Sequence, residues 1–140
     1  GAHTDYECLT RVHTRNPGLQ VLATSGKWID VPVDHSVFVV NIGDMLEAWS
    51  NGILRSTPHR VLNSSAERFS MPYFVAANYD TMIEPFPQLI SENRPSGYTP
   101  FKAGEHLETM LMRDFPYLRD GQAETNFSNP FEGRLQGDQH

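Results

Sequence analysis

The stretch S-T-P-H-R-V-L-N-S-S-A-E-R-F-S at residues 56–70, taken with G-A-H-T-D at residues 1–5, decides how the chain is to be understood. The opening pentapeptide places an imidazole, His3, two residues before a carboxylate, Asp5. A second imidazole, His59, follows 54 residues after Asp5, and Arg68 and Ser70 come nine and eleven residues later again. Side chains at i and i+2 of an extended strand share one face. His3 and Asp5 can therefore aim at one point, and so can Arg68 and Ser70. Two imidazoles and a carboxylate make a ligand set for a transition metal that leaves other positions open. A guanidinium with a hydroxyl two residues on can grip a carboxylate through charge-assisted hydrogen bonds. Each piece alone is common: an H-x-D tripeptide arises by chance, a lone His is more often a surface or core residue, and an Arg on a strand face is usually solvated. Their order and spacing carry the case.

The 140 residues fit one domain with a modest core. An apolar fraction of 39 % with 20 % charged residues places the chain among globular rather than disordered sequences. Ten Gly and ten Pro against two Lys imply many turns, as an all-β chain of short strands requires. The net charge of −6 argues against nucleic acid or an anionic membrane as partner, since both favour basic patches. A single cysteine, Cys8, excludes an intrachain disulfide, and no long apolar run or signal peptide is visible. These features lead us to expect a reducing, cytoplasmic setting. Asn63-Ser64-Ser65 and Asn126-Phe127-Ser128 fit the glycosylation pattern but are expected to be chance matches.

Residues 8–13 and 19–22 suggest short strands flanking the turn Arg15-Asn16-Pro17-Gly18, and residues 18–24 and 27–31 suggest a hairpin about Ser25-Gly26. V-F-V-V-N-I at 37–42 is a continuous apolar run that suits a strand buried on both faces. Residues 45–49 are short enough to predict one irregular turn, and Asn51-Gly52 a tight one. Strands are expected at 53–56, 59–63 and 68–75. Beyond Asp80 come Pro-rich connectors at 84–87 and 94–100, then A-G-E-H-L-E-T-M-L-M-R-D-F at 103–115. That segment spaces Leu107, Met110, Leu111 and Phe115 as an amphipathic helix does. Three regions are expected: a core with the site at 1–80, a connector and helix at 81–120, and a polar, poorly ordered tail at 121–140. His13, His35, His106 and His140 lack a spaced His or carboxylate partner, Cys8 suits packing, and Trp28 and Trp49 suit core or hairpin positions.

H-T-D at 3–5, V-V-N-I-G-D-M-L-E-A-W-S-N-G at 39–52, S-T-P-H-R-V at 56–61 and E-R-F-S-M-P-Y-F at 67–74 together resemble the Fe(II)- and 2-oxoglutarate-dependent oxygenases of the isopenicillin N synthase-like group. The resemblance runs from residue 1 to about 87, and the late helix fits more loosely. It implies a double-stranded β-helix, a jelly roll, with one C-terminal helix. It implies that His3, Asp5 and His59 hold iron and that Arg68 and Ser70 bind the distal carboxylate of 2-oxoglutarate. Phe74 matches a position that often lines the substrate pocket, although an inward Phe on a strand is more often simply core. Asn41, Gly43 and Asp44 belong to the signature and are expected to be turn and packing residues. The implied activity is oxidation, typically hydroxylation, of a small organic substrate using dioxygen, with release of succinate and CO2. Two rivals stand beside it: an isopenicillin N synthase-like oxidase in which Arg68 and Ser70 hold a carboxylate of the substrate itself, and an inactive fragment or binding module that keeps the motif.

His3 stands two residues from the chain start, where nothing upstream fixes a ligand's orientation. Members of the resembling group are longer, and the expectation is an incomplete fold, the C-terminal half of a longer protein whose N-terminal half is a partner to it.

Overall fold

β1 (Leu9–Thr14) lies between β4 (Val39–Ile42) and β6 (Ser70–Val75), antiparallel to both, in a computed structural model that describes residues 1–62 and 67–119. Thr10 is paired with Asn41 on one side and Phe74 on the other, and Thr14 with Ser70. Directly opposed residues of antiparallel strands point to the same face. Asn41, Thr10 and Phe74 thus form one row across the sheet, and Thr14 and Ser70 lie on that same face. Thr10 and Thr14 are buried, whereas Arg11 between them is exposed.

β2 (Leu19–Leu22) pairs with β3 (Trp28–Asp30) in the expected hairpin and with β5 (His59–Val61) on its other edge. Gly26, at φ 75°, supplies the left-handed residue that the hairpin turn needs. The outer face is knit by polar contacts. Arg60 stacks over Trp28 at 4.0 Å and donates to Gln20, which donates to Asp30. Leu19 and His59 are buried on the other face. This is the hairpin position expected for Trp28.

The short strands β7 (Met82–Ile83) and β8 (Phe101–Lys102) form a third sheet that leads into α2 (Ala103–Asp114). The buried cluster of Met45, Ala48, Ile83 and Ala103 packs the late part of the chain onto the early part. Trp49 stacks on Phe86, with ring centroids 5.9 Å apart.

Several expectations need correction. Residues 45–49 are not an irregular turn; they lie in α1 (Asp44–Trp49). Six residues are too few for a helix to nucleate alone. Its first N–H groups, otherwise without partners, are taken up by distant backbone: Asp44 N–H donates to the Asp5 carbonyl and Met45 N–H to that of Glu7. Residues 53–56 are not a strand, because Ser50 Oγ and Glu47 hold that segment as an irregular loop. The run at 37–42 is not buried on both faces, since Val40 is 53 % exposed. β1 and β2 lie in different sheets. Of the expected stripe of α2 only Met110 is buried, together with Ala103 and His106; Leu107 and Leu111 are half buried and Phe115 is exposed. The glycosylation tripeptides at 63–65 and 126–128 and the tail at 121–140 lie outside the described residues.

Candidate metal and co-substrate site

His3 is fixed by β-sheet chemistry. An isolated antiparallel bridge joins it to His59, with His3 N–H donating to the His59 carbonyl at 3.0 Å and the reverse bond at 2.9 Å. The two rings lie 4.4 Å apart, centroid to centroid. The Asp5 carbonyl accepts from Asp44 N–H, so α1 holds the backbone beneath the carboxylate.

The three side chains converge. Asp5 Oδ1 is 3.7 Å from His3 Nε2 and 3.5 Å from His59 Nε2, and one ligand atom from each residue lies within 4.8 Å of the others. Two ligands on adjacent corners of one ion, each about 2.1 Å from it, would stand about 3 Å apart. Both Asp5–imidazole separations lie within about 1 Å of that spacing. Each imidazole has its other nitrogen engaged: His3 Nδ1 meets the Gly1 carbonyl at 3.1 Å, and His59 Nδ1 that of Thr57 at 3.2 Å. A carbonyl can only accept, so Nδ1 carries the proton and Nε2 presents its lone pair inward, as metal-binding histidines do. Burial pushes the His59 pKa below its usual value, with Asp5 and the Thr57 carbonyl pulling the other way and His3 adding to the depression. That direction favours the neutral ring, the form that binds a metal.

Asn41 of β4 completes this cluster. Its amide Nδ2 lies 3.3 Å from Asp5 Oδ2 and 3.4 Å from His59 Nε2. Sequence reasoning treated it as a packing residue. The signal available was its place two residues before Gly43 in an apolar run, where a lone polar side chain on a buried face needs a partner.

Arg68 donates through Nη1 to Ser70 Oγ at 3.1 Å, through Nη2 to Thr14 Oγ1 at 3.4 Å and through Nε to the Pro17 carbonyl at 3.3 Å. Among the described residues it makes no ion pair with a carboxylate. Among those residues its charge is oriented by hydrogen bonds rather than by an ion pair. Ser70 accepts from Arg68, which leaves its own hydroxyl hydrogen to donate elsewhere. Ser70 lies four residues along β6 from Phe74, about 13 Å at 3.3 Å per residue, on the same face as Asn41. The anchor and the three ligands thus share one side of the sheet.

A cleft of about 770 Å³ is lined by two of the three ligands, His3 and Asp5, with Phe74, Leu107, Leu111 and Phe115 among its apolar lining; His59, Arg68 and Ser70 do not line it. Phe74 is 52 % exposed, so it is a wall residue rather than a core residue. The rim is polar. Tyr6 O–H donates to Asp114 Oδ2, Arg113 Nη2 donates to Tyr6 Oη at 3.2 Å, and Arg113 Nε donates to Asp114 Oδ1 at 2.9 Å. Burial first, and then Asp114, push the Tyr6 phenol up to about 12. Sequence reasoning missed this trio, and also the buried pair of His106 Nε2 and Asp44 Oδ2, 3.6 Å apart. The sequence offers no spacing for either, because the partners lie far apart along the chain.

Residues 1–77 match the 2OG-Fe(II) oxygenase superfamily. The chain is 42 % identical over 121 residues to homoarginine-6-hydroxylase of Glycine max, covering 82 % of this chain and 36 % of that protein. It is 38 % identical over 113 residues to gibberellin 2-beta-dioxygenase 5 of Oryza sativa subsp. japonica, covering 78 % and 33 %. Among solved structures, the dioxygenase for auxin oxidation in rice superposes with a TM-score of 0.75 at 32 % identity, covering 81 % of this chain and 40 % of that one. A Neurospora crassa protein crystallised in complex with alpha-KG gives 0.74 at 32 %, covering 82 % and 37 %. The chain belongs to the 2OG-Fe(II) oxygenase superfamily, and its fold is the jelly roll of those structures. It spans about a third of the length of the curated relatives it matches.

Proposed function

We propose that this chain carries the iron and co-substrate half of an Fe(II)- and 2-oxoglutarate-dependent oxygenase acting on a small organic molecule. The observation that carries the proposal is the convergence of two inward Nε2 lone pairs and Asp5 Oδ1 on one point. A two-His, one-carboxylate set with open positions is the donor set of non-haem Fe(II) oxygenases. His3, Asp5 and His59 would hold the iron. When bound, that ion with 2-oxoglutarate and dioxygen supplies the oxidising chemistry, releasing succinate and CO2.

The protein's own work is placement. Arg68 offers a fork of N–H donors, already oriented by Ser70, Thr14 and Pro17, for the far carboxylate of the 2-oxo acid, and Ser70 adds its hydroxyl hydrogen. Anchoring that end fixes the reactant, which removes an entropic part of the barrier. Phe74, Leu107, Leu111 and Phe115 give an apolar wall that suits a hydrocarbon portion of the substrate and excludes water near the metal. The Tyr6–Arg113–Asp114 rim gives that substrate a polar end to meet. The relatives' hydroxylase and dioxygenase names favour oxidation of a C–H bond.

β6 is exposed along its whole length, including Met71 at 65 % and Tyr73 at 67 %, and among the described residues it pairs with β1 alone. An open apolar edge is an aggregation liability unless it is covered. We assign its cover to a further segment of the same protein, in keeping with the share of its relatives that this chain spans. A cytoplasmic setting is part of the same proposal; among the described residues no helix is long and apolar enough to cross a membrane.

The test has two arms. Mn(II) or Fe(II) should raise the melting temperature of the wild type and leave His59→Ala unchanged; an equal shift in both would remove the triad as the metal site. In the presence of the natural substrate, labelled CO2 should be released from 2-oxoglutarate. Turnover of a carboxylate substrate without that release would favour the oxidase rival.

A further inference from the structure

We propose that Asn41 is a positioning residue for the metal: its amide keeps the Asp5 carboxylate one-armed, offering Oδ1 alone to the ion. This rests on the triad proposal and deepens it. Asp5 Oδ1 faces both imidazoles, at 3.5 and 3.7 Å, while Asp5 Oδ2 takes the Asn41 N–H at 3.3 Å. The two oxygens therefore have separate tasks.

Without such a donor the carboxylate has a broad choice of orientation, since the terminal torsion of Asp is soft. It could turn Oδ2 inward as well and occupy a second position on the metal. That would remove one of the openings which 2-oxoglutarate and dioxygen both require. Asn41 is well placed to prevent this. It is 7 % exposed and lies on β4, in a row with the buried Thr10 of the central strand. Its Nδ2 also lies 3.4 Å from His59 Nε2, so one amide touches the non-ligating oxygen of Asp5 and the ligating nitrogen of His59, on two chain segments. It sets the angle between them before any metal arrives. An outer group that orients a ligand is typically worth 10–100-fold in metal affinity.

The experiment uses Mn(II) as probe, titrated into the intact chain and followed by loss of the free-ion electron paramagnetic resonance signal. Asn41→Ala is expected to bind Mn(II) about 10–100-fold more weakly than wild type, with a metal-free melting temperature close to that of wild type. Co(II), used as a second probe, should show a changed visible spectrum in the variant, as its coordination number changes. If Asn41→Ala does not fold, Asn41→Leu fills nearly the same volume without a donor and gives the same readouts. His59→Ala is the control and should lose Mn(II) binding outright. Wild-type Mn(II) affinity and an unchanged Co(II) spectrum in a folded Asn41 variant would overturn the proposal while leaving the triad intact. Normal binding by His59→Ala would instead overturn the triad itself.

Discussion

Gly43 lies against the backbone of Glu7 so closely that a Cβ added to it would fall well inside contact distance of the Glu7 carbonyl. The contact belongs to a run of backbone bonds: Gly43 N–H to the Cys8 carbonyl, Asp44 N–H to Asp5, and Met45 N–H to Glu7. The obstacle to a side chain is main chain, which cannot swing aside. Gly43→Ala should therefore cost about 3 kcal/mol, the upper end for overpacking. It should also weaken Mn(II) binding, because relief requires moving the segment that carries Asp5. Urea unfolding and a metal titration on the same variant check both; an unchanged midpoint would contradict the close packing.

Glu47 is fully buried and accepts two short bonds, from Ser56 N–H and from Tyr98 O–H, both at 2.6 Å. The first holds the loop that leads through Pro58 into His59. Tyr98→Phe removes one bond to the carboxyl group and should cost about 2 kcal/mol. Glu47→Ala should cost about 3 kcal/mol or more, since it also leaves the buried Ser56 N–H without that acceptor. Only the second variant should also lose Mn(II) affinity. Chemical denaturation with parallel titrations separates the two.

Arg68→Ala should abolish most 2-oxoglutarate binding while leaving Mn(II) affinity near wild type. Losing a forked, charge-assisted contact of about 3 kcal/mol corresponds to roughly a hundredfold in Kd. Arg68→Lys keeps the charge but not the fork and should fall between. Thermal shift by 2-oxoglutarate, measured at saturating Mn(II), reads the difference.

Asp114 sets a pH dependence at the cleft rim. Burial raises its pKa, but the hydrogen bonds from Arg113 and Tyr6 outweigh that effect and leave it below 3.8. A folded-state pKa below the unfolded value means that the unfolded chain binds more protons in this window. The contribution is therefore complete above pH 3.8 and lost as pH falls through the lower folded value. Solvent screens the rim, so the effect stays below about 1 kcal/mol. The melting-temperature advantage of wild type over Asp114→Asn should hold at pH 6 and shrink below pH 4; an advantage that grew in acid would reverse the sign.

What the sequence disclosed was what local pattern can carry. The hairpin of residues 18–31 was legible because Gly26 announces its turn, and the helix at 103–114 because its apolar spacing is regular. The i, i+2 pairs were legible because strand geometry alone fixes their common face. Other features depend on partners far along the chain. α1 is invisible because the carbonyls that satisfy its first turn belong to residues 5 and 7. Asn41 reads as packing until β1 brings it beside Asp5, and His106 reads as a plain helix residue until Asp44 comes to lie beneath it. The exposure of Val40 follows from which faces the remaining chain covers, and no window of six residues holds that information.

The bridge between His3 and His59 also ties metal binding to folding. Its two strand segments lie more than fifty positions apart, and the Asp5 backbone is held by α1, so the three donor atoms come together only in the folded chain. An unfolded chain presents three scattered ligands and holds the ion far more weakly. Every tenfold excess of metal over its Kd then adds about 1.4 kcal/mol to the folded state. With the proposed ion bound, occupancy of this site would report how much of the molecule is correctly assembled.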